Sequence, residues 1–269
     1  MKKPVLAACG LALAVALAAC GARTTGGSGD GAPALFGNAQ DLARAASAKT
    51  GQAKTAKVGY DLTVGSERIS AQGVARWDGE KALRLVVGTP PAVETMIITD
   101  GSLYVQVPES VRASTTSGKP WGKAPADSDV GRAVAARQSR ATDPGETLDR
   151  MRQAGTIDRS EQTVLDGQPV THYWITLDLS KMIQLMQGEV APASLDKLRG
   201  GNVRVPTEIW LNSDLLPVQL TEDQTVMMQA LGQTGGDHVG FTVKYTDWGT
   251  PVDIQAPPAD QVGDLHPPR

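Results

Sequence analysis

The feature that most constrains this chain is a change of hydrophobic period near residue 57. Val58, Tyr60, Leu62 and Val64 alternate with Lys57, Gly59, Asp61 and Thr63, the period of two that marks a strand buried on one side. After Gly65-Ser66, the segment Arg68 to Trp77 places Ile69, Ala71, Gly73, Ala75 and Trp77 on one face. Asp78-Gly79 is a tight-turn signal, and Leu83, Leu85 and Val87 form a third strand. Thr89-Pro90-Pro91 breaks the pattern, Val93 to Thr99 resumes it, and Asp100-Gly101 turns into Leu103, Val105 and Val107. Strands joined by turns this short must be antiparallel neighbours, because a parallel pair needs a crossover of a dozen or more residues.

Helical signals flank and interrupt this meander. Asn38 to Thr50 is Ala-rich, with Leu42, Ala45 and Ala46 on one side. Pro108 to about Ala126 reads as a polar loop holding one aromatic, Trp121. Asp143-Pro144-Gly145-Glu146 then offers a helix cap, a first-turn proline and an acidic capping partner, and Gly155 stops that helix. Gln162 to Asp178 is a hairpin turning at Asp166-Gly167, and Ser180 to Gln187 and Ala193 to Arg199 read as short helices. Val205 to Leu211, Leu216 to Thr221, Thr225 to Leu231 and Val239 to Tyr245 would be four further strands. The expected fold class is α+β: one curved antiparallel sheet of about nine or more strands with helices over its concave face. A sheet of that size tends to curl towards a half-open barrel.

The N-terminus carries an address. Lys2-Lys3, an apolar run from Val5 to Leu17 and then small residues read as a secretory signal. The run is shorter than the roughly 20 apolar residues of a membrane span. Leu17-Ala18-Ala19-Cys20-Gly21 closely resembles the lipobox of bacterial lipoproteins. That resemblance implies cleavage before Cys20, diacylglycerylation of its thiol and anchoring to the outer face of the cytoplasmic membrane. A second copy, Leu6-Ala7-Ala8-Cys9-Gly10, would leave almost no hydrophobic region and is rejected. The expected organisation is a signal peptide over 1–19, an acylated cysteine and flexible tether over 20–37, one domain over 38–260 and an extended proline-rich tail over 261–269. The tether's Gly-Gly-Ser-Gly-Asp-Gly is no phosphate loop, since no strand precedes it and no Lys-Ser/Thr follows.

Longer stretches carry a second resemblance. They are Asp100-Gly101-Ser102-Leu103-Tyr104, Lys119-Pro120-Trp121, Val164 to Tyr173, Thr207-Glu208-Ile209-Trp210-Leu211, Tyr245 to Val252 and Ala256-Pro257-Pro258. With them the secreted part resembles the LolA-like fold as used by the LppX and LprG type of actinobacterial lipoproteins. The resemblance implies a half-open β-barrel closed by helices over an apolar cavity, and carriage of an acyl chain. Trp121 departs from it, being followed by Gly122-Lys123 and a polar run. The aromatic content of 4% also leaves few evident lipid-contact residues.

Catalysis is not expected. There is no Gly-x-Ser-x-Gly elbow and no histidine pair at metal spacing, so neither an enzyme, a cofactor nor a metal is called for. His172, His238 and His266 read as core or surface histidines, and Asp178, Glu208 and Asp247 as solvated carboxylates near strand ends. Both cysteines fall at the N-terminus, so no disulfide is expected, and a net charge of −3 gives no field for nucleic acid. Trp77, Trp174, Trp210 and Trp248 read as core anchors. The expected cavity lining is Val58, Tyr60, Leu62, Ala71, Gly73, Leu85, Val105, Trp174 and Ile209. Small inward residues leave volume, unfilled volume costs ~24 cal/mol per Å³, and an acyl chain would recover ~0.8 kcal/mol per buried CH₂.

Arg132, Arg137, Arg140, Arg150, Arg152 and Arg159 raise a second expectation. They either lean on anionic headgroups or form a solvated face. The partners expected are therefore a lipid or acylated ligand, the membrane through Cys20, and an envelope protein. The competing reading is a non-enzymatic envelope interaction or sensor module with a solid core, making contacts around Trp121 and Trp248.

Overall fold

The structure is a computed structural model; it describes residues 35–89, 92–100, 102–125, 142–183, 198, 203–232 and 237–266. The leader, Cys20, most of the tether, Arg132, Arg137 and Arg140 lie outside these residues, as do 184–187 of the helix expected over Ser180 to Gln187 and, apart from Leu198, the helix expected over Ala193 to Arg199.

Two meanders make one sheet. The first runs β1 Thr55–Val64, β2 Glu67–Arg76, β3 Ala82–Thr89, β4 Ala92–Thr99, β5 Ser102–Gln106 and β6 Trp121–Pro125. The second runs β7 Gly155–Leu165, β8 Gln168–Asp178, β9 Arg204–Leu211, β10 Pro217–Asp223 and β11 Val239–Thr246. β1 pairs with β11 along its length, from Lys57 opposite Thr246 to Val64 opposite Val239. With β12 Val262–Asp264 added beside β6, the order is β12-β6-β5-β4-β3-β2-β1-β11-β10-β9-β8-β7. The sheet is curved and does not close, as the sequence leads one to expect. Every pairing is antiparallel except β12 with β6.

Register gives the sheet two unlike faces. One row of partners reads Val87, Ala71, Tyr60, Val243, Leu220, Ile209 and Tyr173. These residues share the inner face with the helices α1 Ala39–Ala53 and α3 Pro144–Ala154. Asn38 caps α1 by accepting a hydrogen bond from Asp41 N, and Leu42, Ala43 and Ala46 turn inwards. The inward stripe thus takes Ala43 where Ala45 was expected. Asp143 caps α3 by accepting from Gly145 N, with Pro144 in the first turn, and Leu148, Met151 and Ala154 are its buried side. The cluster they form with Val58, Leu85, Tyr173, Ile209 and Tyr245 is the main core.

A smaller core lies on the outer face of the first meander. Ala82, Ile97 and Tyr104 are buried there under Ile254, flanked by Val74, Trp121, Val252, Ala256 and Val262. The segment after β11 therefore straps the outside of the sheet before entering it as β12.

Three expectations are corrected. Thr225–Ala230 is helix α5, not a strand, since Met, Gln and Ala favour helix over strand and Asp223 accepts from Thr225 N at its start. Trp121–Pro125 is a strand, not loop: Trp121 and Lys123 face out, Gly122 and Ala124 face in, and β5 and β12 supply partners on both sides. The tail is tied down. Val262–Asp264 pair into the sheet beyond the residue-260 boundary, and His266 N donates to Thr115 O, next to the helical turn α2 Arg112–Thr115, at 2.9 Å. Leu179–Met182, the helical turn α4, is capped by Asp178.

Gly73 also corrects a reason. It does not leave room for a ligand, because a Cβ built there would meet Arg84 O at 1.8 Å and Leu85 Cα at 3.0 Å. The backbones of β2 and β3 close on it. Ala71 and Ala75 likewise sit buried in the cluster that holds the α1 and α3 side chains. Gly73→Ala is expected to cost about 2–3 kcal/mol of unfolding free energy through overpacking against backbone, read as a lowered midpoint in urea with an unchanged slope.

Candidate functional site

Cover over the inner face is uneven. Towards the ends of β1 and β2 that meet the helices, Val58, Ala71, Leu85 and Ile209 are buried in the main core. Elsewhere on the same face Tyr60 and Val87, in the row of Ala71, Met96, in the row of Leu85, and Ile98, opposite Leu83, are only partly buried, with Met227, Ala230 and Leu231 at α5 packed against the same cluster. Leu62 and Val105 are also half-buried, Leu62 pairing with Ile69 and Phe241, and Val105 with Met96. Ile69 is 47% exposed and Val226 on α5 is 45% exposed. The result is an oblique strip of half-covered apolar side chains, from Ile69 and Leu62 by the β1–β2 turn through Tyr60 and Val87 to Met96, Ile98 and Val105 on β4 and β5, with Met227 of α5 against the same cluster. Two of its members are methionines, whose unbranched chains adapt to irregular contacts.

One buried ion pair borders the strip. The row Ile69, Leu62, Phe241 continues across β10 as Glu222 and then Thr207. Glu222 is 2% exposed and pairs with Arg150 of α3 at 3.4 Å, while Gln224 Nε2 donates to its other oxygen at 3.1 Å. Arg150 also donates to Thr147 Oγ1 at 3.0 Å. Removing one partner leaves a bare buried charge. Arg150→Met is therefore expected to lose about 3–5 kcal/mol, and Arg150→Met with Glu222→Leu to regain most of it; a double-mutant cycle of chemical denaturation measures both.

Of the nine residues expected to line a cavity, eight share the inner face: Val58, Tyr60, Leu62, Ala71, Gly73, Leu85, Val105 and Ile209. Trp174 does not. Strand β8 offers two alternations, and Tyr173, Ile175 and Leu177 take the core, which puts Trp174 and His172 outside. Trp210, opposite His172, follows them. These two tryptophans are not core anchors, whereas Trp77 and Trp248 pack on the main core. Trp248 Nε1 also donates to Pro217 O at 2.8 Å, and Trp121 packs on the smaller core. Trp121 and Trp248 are thus themselves engaged in internal packing.

Sequence reasoning missed the outer cluster. His172 lies between Trp174, at 3.4 Å between ring centroids, and Trp210, stacked at 3.9 Å. The Arg159 guanidinium covers Trp174 at 3.5 Å. His172 Nε2 and Glu208 Oε2 are 2.7 Å apart, and since a carboxylate only accepts, the imidazole donates. The signal was present as His-x-Trp on one strand facing Glu-x-Trp on the next, but only register reveals that they meet.

Burial holds His172 below the usual imidazole range, against the pull of Glu208 and Glu161, with Arg159 adding to the lowering. The folded state then takes up a proton less readily than the unfolded chain. Stability is full above the ordinary imidazole value of ~6.5 and falls as pH drops through it. Melting temperature is expected to decline between about pH 7.5 and pH 5.5, and His172→Gln to flatten that decline. Parallel curves for the two proteins would refute the assignment.

The other polar candidates scatter into separate tasks. Asp178 caps α4, and the Ser180 hydroxyl hydrogen bond holds its carboxyl below the usual range. Asp247 pairs with Lys57 at 2.7 Å. His238 lies 3.2 Å from Thr225 Oγ1 at the start of α5. Arg150, Arg152 and Arg159 fall in three places: the interior pair, the outside of α3 and the outer face of the sheet. They do not form one basic surface. Among the described residues, no three His, Cys, Asp or Glu side chains gather to hold a metal ion. No described helix is long and apolar enough to cross a membrane.

No family model and no curated protein matches the chain. Among solved structures it is similar to LprF from Mycobacterium bovis, at 18% identity over 81% of this chain and 96% of that one, with a TM-score of 0.45. It is similar to the lipoprotein LppX from Mycobacterium tuberculosis at 14% identity, over 81% and 98%, with a TM-score of 0.48. A LolA superfamily protein from Nitrosomonas europaea aligns at 9% identity over 83% and 96%, with a TM-score of 0.32.

Proposed function

We propose that this chain is a lipoprotein, anchored through acylated Cys20 to the outer face of the cytoplasmic membrane, that binds an acyl chain along the inner face of its sheet without any covalent step. The observation that supports this reading is the half-covered apolar strip of Tyr60, Leu62, Val87, Met96, Ile98 and Met227. A packed domain normally buries such side chains, and a group of them left half-covered on one sheet face marks a place for an apolar occupant. Covering about eight methylenes there would contribute ~6 kcal/mol.

The reading needs no catalytic group. Specificity would come from length and thickness of the chain, set by the methionines and by Gly73, whose pinch brings β2 against β3. Glu222 and Arg150, being paired with each other, set the far limit of the strip.

Native mass spectrometry of the mature chain, prepared without detergent, tests this. Adducts of lipid mass are expected that vanish on denaturation. Met96→Glu, which puts a carboxylate in the strip, is expected to cut the bound fraction about tenfold or more. A single unliganded mass that persists after mixing with membrane extract would reject acyl binding.

A further inference from the structure

The ion pair of Glu222 and Arg150 is held open. Nη2 stands 3.4 Å from Oε2 and Nη1 stands 3.5 Å from Oε1, both longer than the ~2.7–2.9 Å at which a guanidinium and a carboxylate normally close. The loose fit leaves two polar atoms unused. Arg150 Nε and Glu222 Oε2 are buried and have no hydrogen-bond partner. The rest of each group is engaged, since Thr147 Oγ1 accepts from Nη2 at 3.0 Å and Gln224 Nε2 donates to Oε1 at 3.1 Å. A bare donor and a bare acceptor in an interior each cost free energy, and native structures keep few of them.

The chemistry of the two atoms specifies what would complete them. Nε–H only donates and a carboxylate oxygen only accepts. Nε belongs to the same guanidinium as the Nη2 that stands 3.4 Å from Oε2, so one oxygen between them lies within hydrogen-bond reach of both. That oxygen must accept from one and donate to the other, which a hydroxyl does and an ether or a hydrocarbon does not. Charge narrows the choice further. Arg150 and Glu222 balance each other, and Glu222 is 2% exposed. A ligand carboxylate or phosphate would set a second negative charge beside it, away from water.

The pair also lies beside one end of the apolar strip. Glu222 shares a cross-strand row with Phe241, Leu62 and Ile69. Gln224, which holds its other oxygen, immediately precedes α5, and Met227 of the strip follows one helical turn later. An acyl chain laid along the strip thus brings its polar end to these atoms.

We infer that Arg150 Nε and Glu222 Oε2 form a subsite for the hydroxyl of a neutral lipid, of the long-chain alcohol or diacylglycerol class, whose chain occupies the strip. This rests on the acyl binding of the proposed function and names its polar end.

Competition in native mass spectrometry tests it, with hexadecanol, its methyl ether and palmitate offered to the chain from residue 20 carrying Cys20→Ser, which keeps all the core residues. The alcohol is expected to be retained about tenfold over each of the others, although the ether is the more apolar ligand. The double variant Arg150→Met with Glu222→Leu is expected to take up alcohol and ether alike. In the parent chain the Arg150 Nε–H nuclear magnetic resonance signal is expected to shift on adding the alcohol and to stay in place with the ether, a readout that holds even where the double variant fails to fold. Equal retention of alcohol and ether by the parent, or a preference that survives in the double variant, overturns the inference. So does an Nε signal that the alcohol leaves unmoved, which would mean that only water stands there. Binding of all three ligands alike rejects the subsite and leaves acyl binding standing, whereas binding of none rejects both.

Discussion

The pairing of β1 with β11 is the interaction on which the rest depends. Each meander can form from its own turns, but neither alone gives the helices a surface wide enough to cover. Eight residue pairs, from Lys57–Thr246 to Val64–Val239, join them. They also set the parity by which Tyr60 falls in line with Val243, Leu220 and Ile209 across four strands. A slip of one residue at this seam would turn one half of the inner face out to solvent. The seam is reinforced on the inside by aromatic contacts, Tyr60 against Phe241 at 5.4 Å between ring centroids and Trp77 against Tyr245 at 6.2 Å.

The inner face is then divided in kind. Where α1 and α3 lie, the core is filled by Leu42, Leu148, Met151 and Tyr245. Beside that packing, Glu222 of β10 meets Arg150 from the middle of α3. A buried ion pair contributes little net stability compared with apolar packing, but it tolerates few arrangements. It fixes the position of α3 over β10, and with it the border between the filled half and the half-covered strip. The outer face is divided as well: the first meander is covered by the strap after β11, while the second bears the His172 and tryptophan stack and a polar ladder that includes Thr221 with Thr242.

Much of this was legible in the sequence because alternation and turn residues are local. Asp78-Gly79 and Asp166-Gly167 sit at turns, with Gly79, Asp166 and Gly167 at positive φ, and the caps Asn38 and Asp143 act as their positions suggest. What failed is non-local. Trp174 and Tyr173 are equally fit to face inwards, and only pairing with β9 decides between them. The strand of Trp121 is too short and too interrupted by glycine and proline to announce itself, and exists because β5 and β12 flank it. Thr225–Ala230 lacked true alternation, and its Met and Gln content was the better guide. Ala71 and Gly73 were read as space, yet smallness at Gly73 serves backbone approach, which no single strand can reveal.

The strap that crosses the outer face has a mechanical meaning. It leaves β11 at Thr246 and re-enters beside β6 at Val262, spanning seven strand spacings, or ~34 Å. Its roughly 15 residues could reach ~50 Å if fully drawn out. The chain therefore has slack, and covalent length does not restrain the curvature of the first meander. Restraint comes from adhesion, the seating of Ile254 over Ala82, Ile97 and Tyr104. The strap behaves as a compliant spring glued at its middle: the sheet can flex by small amounts without strain, and larger changes of curvature must first peel Ile254 from its seat.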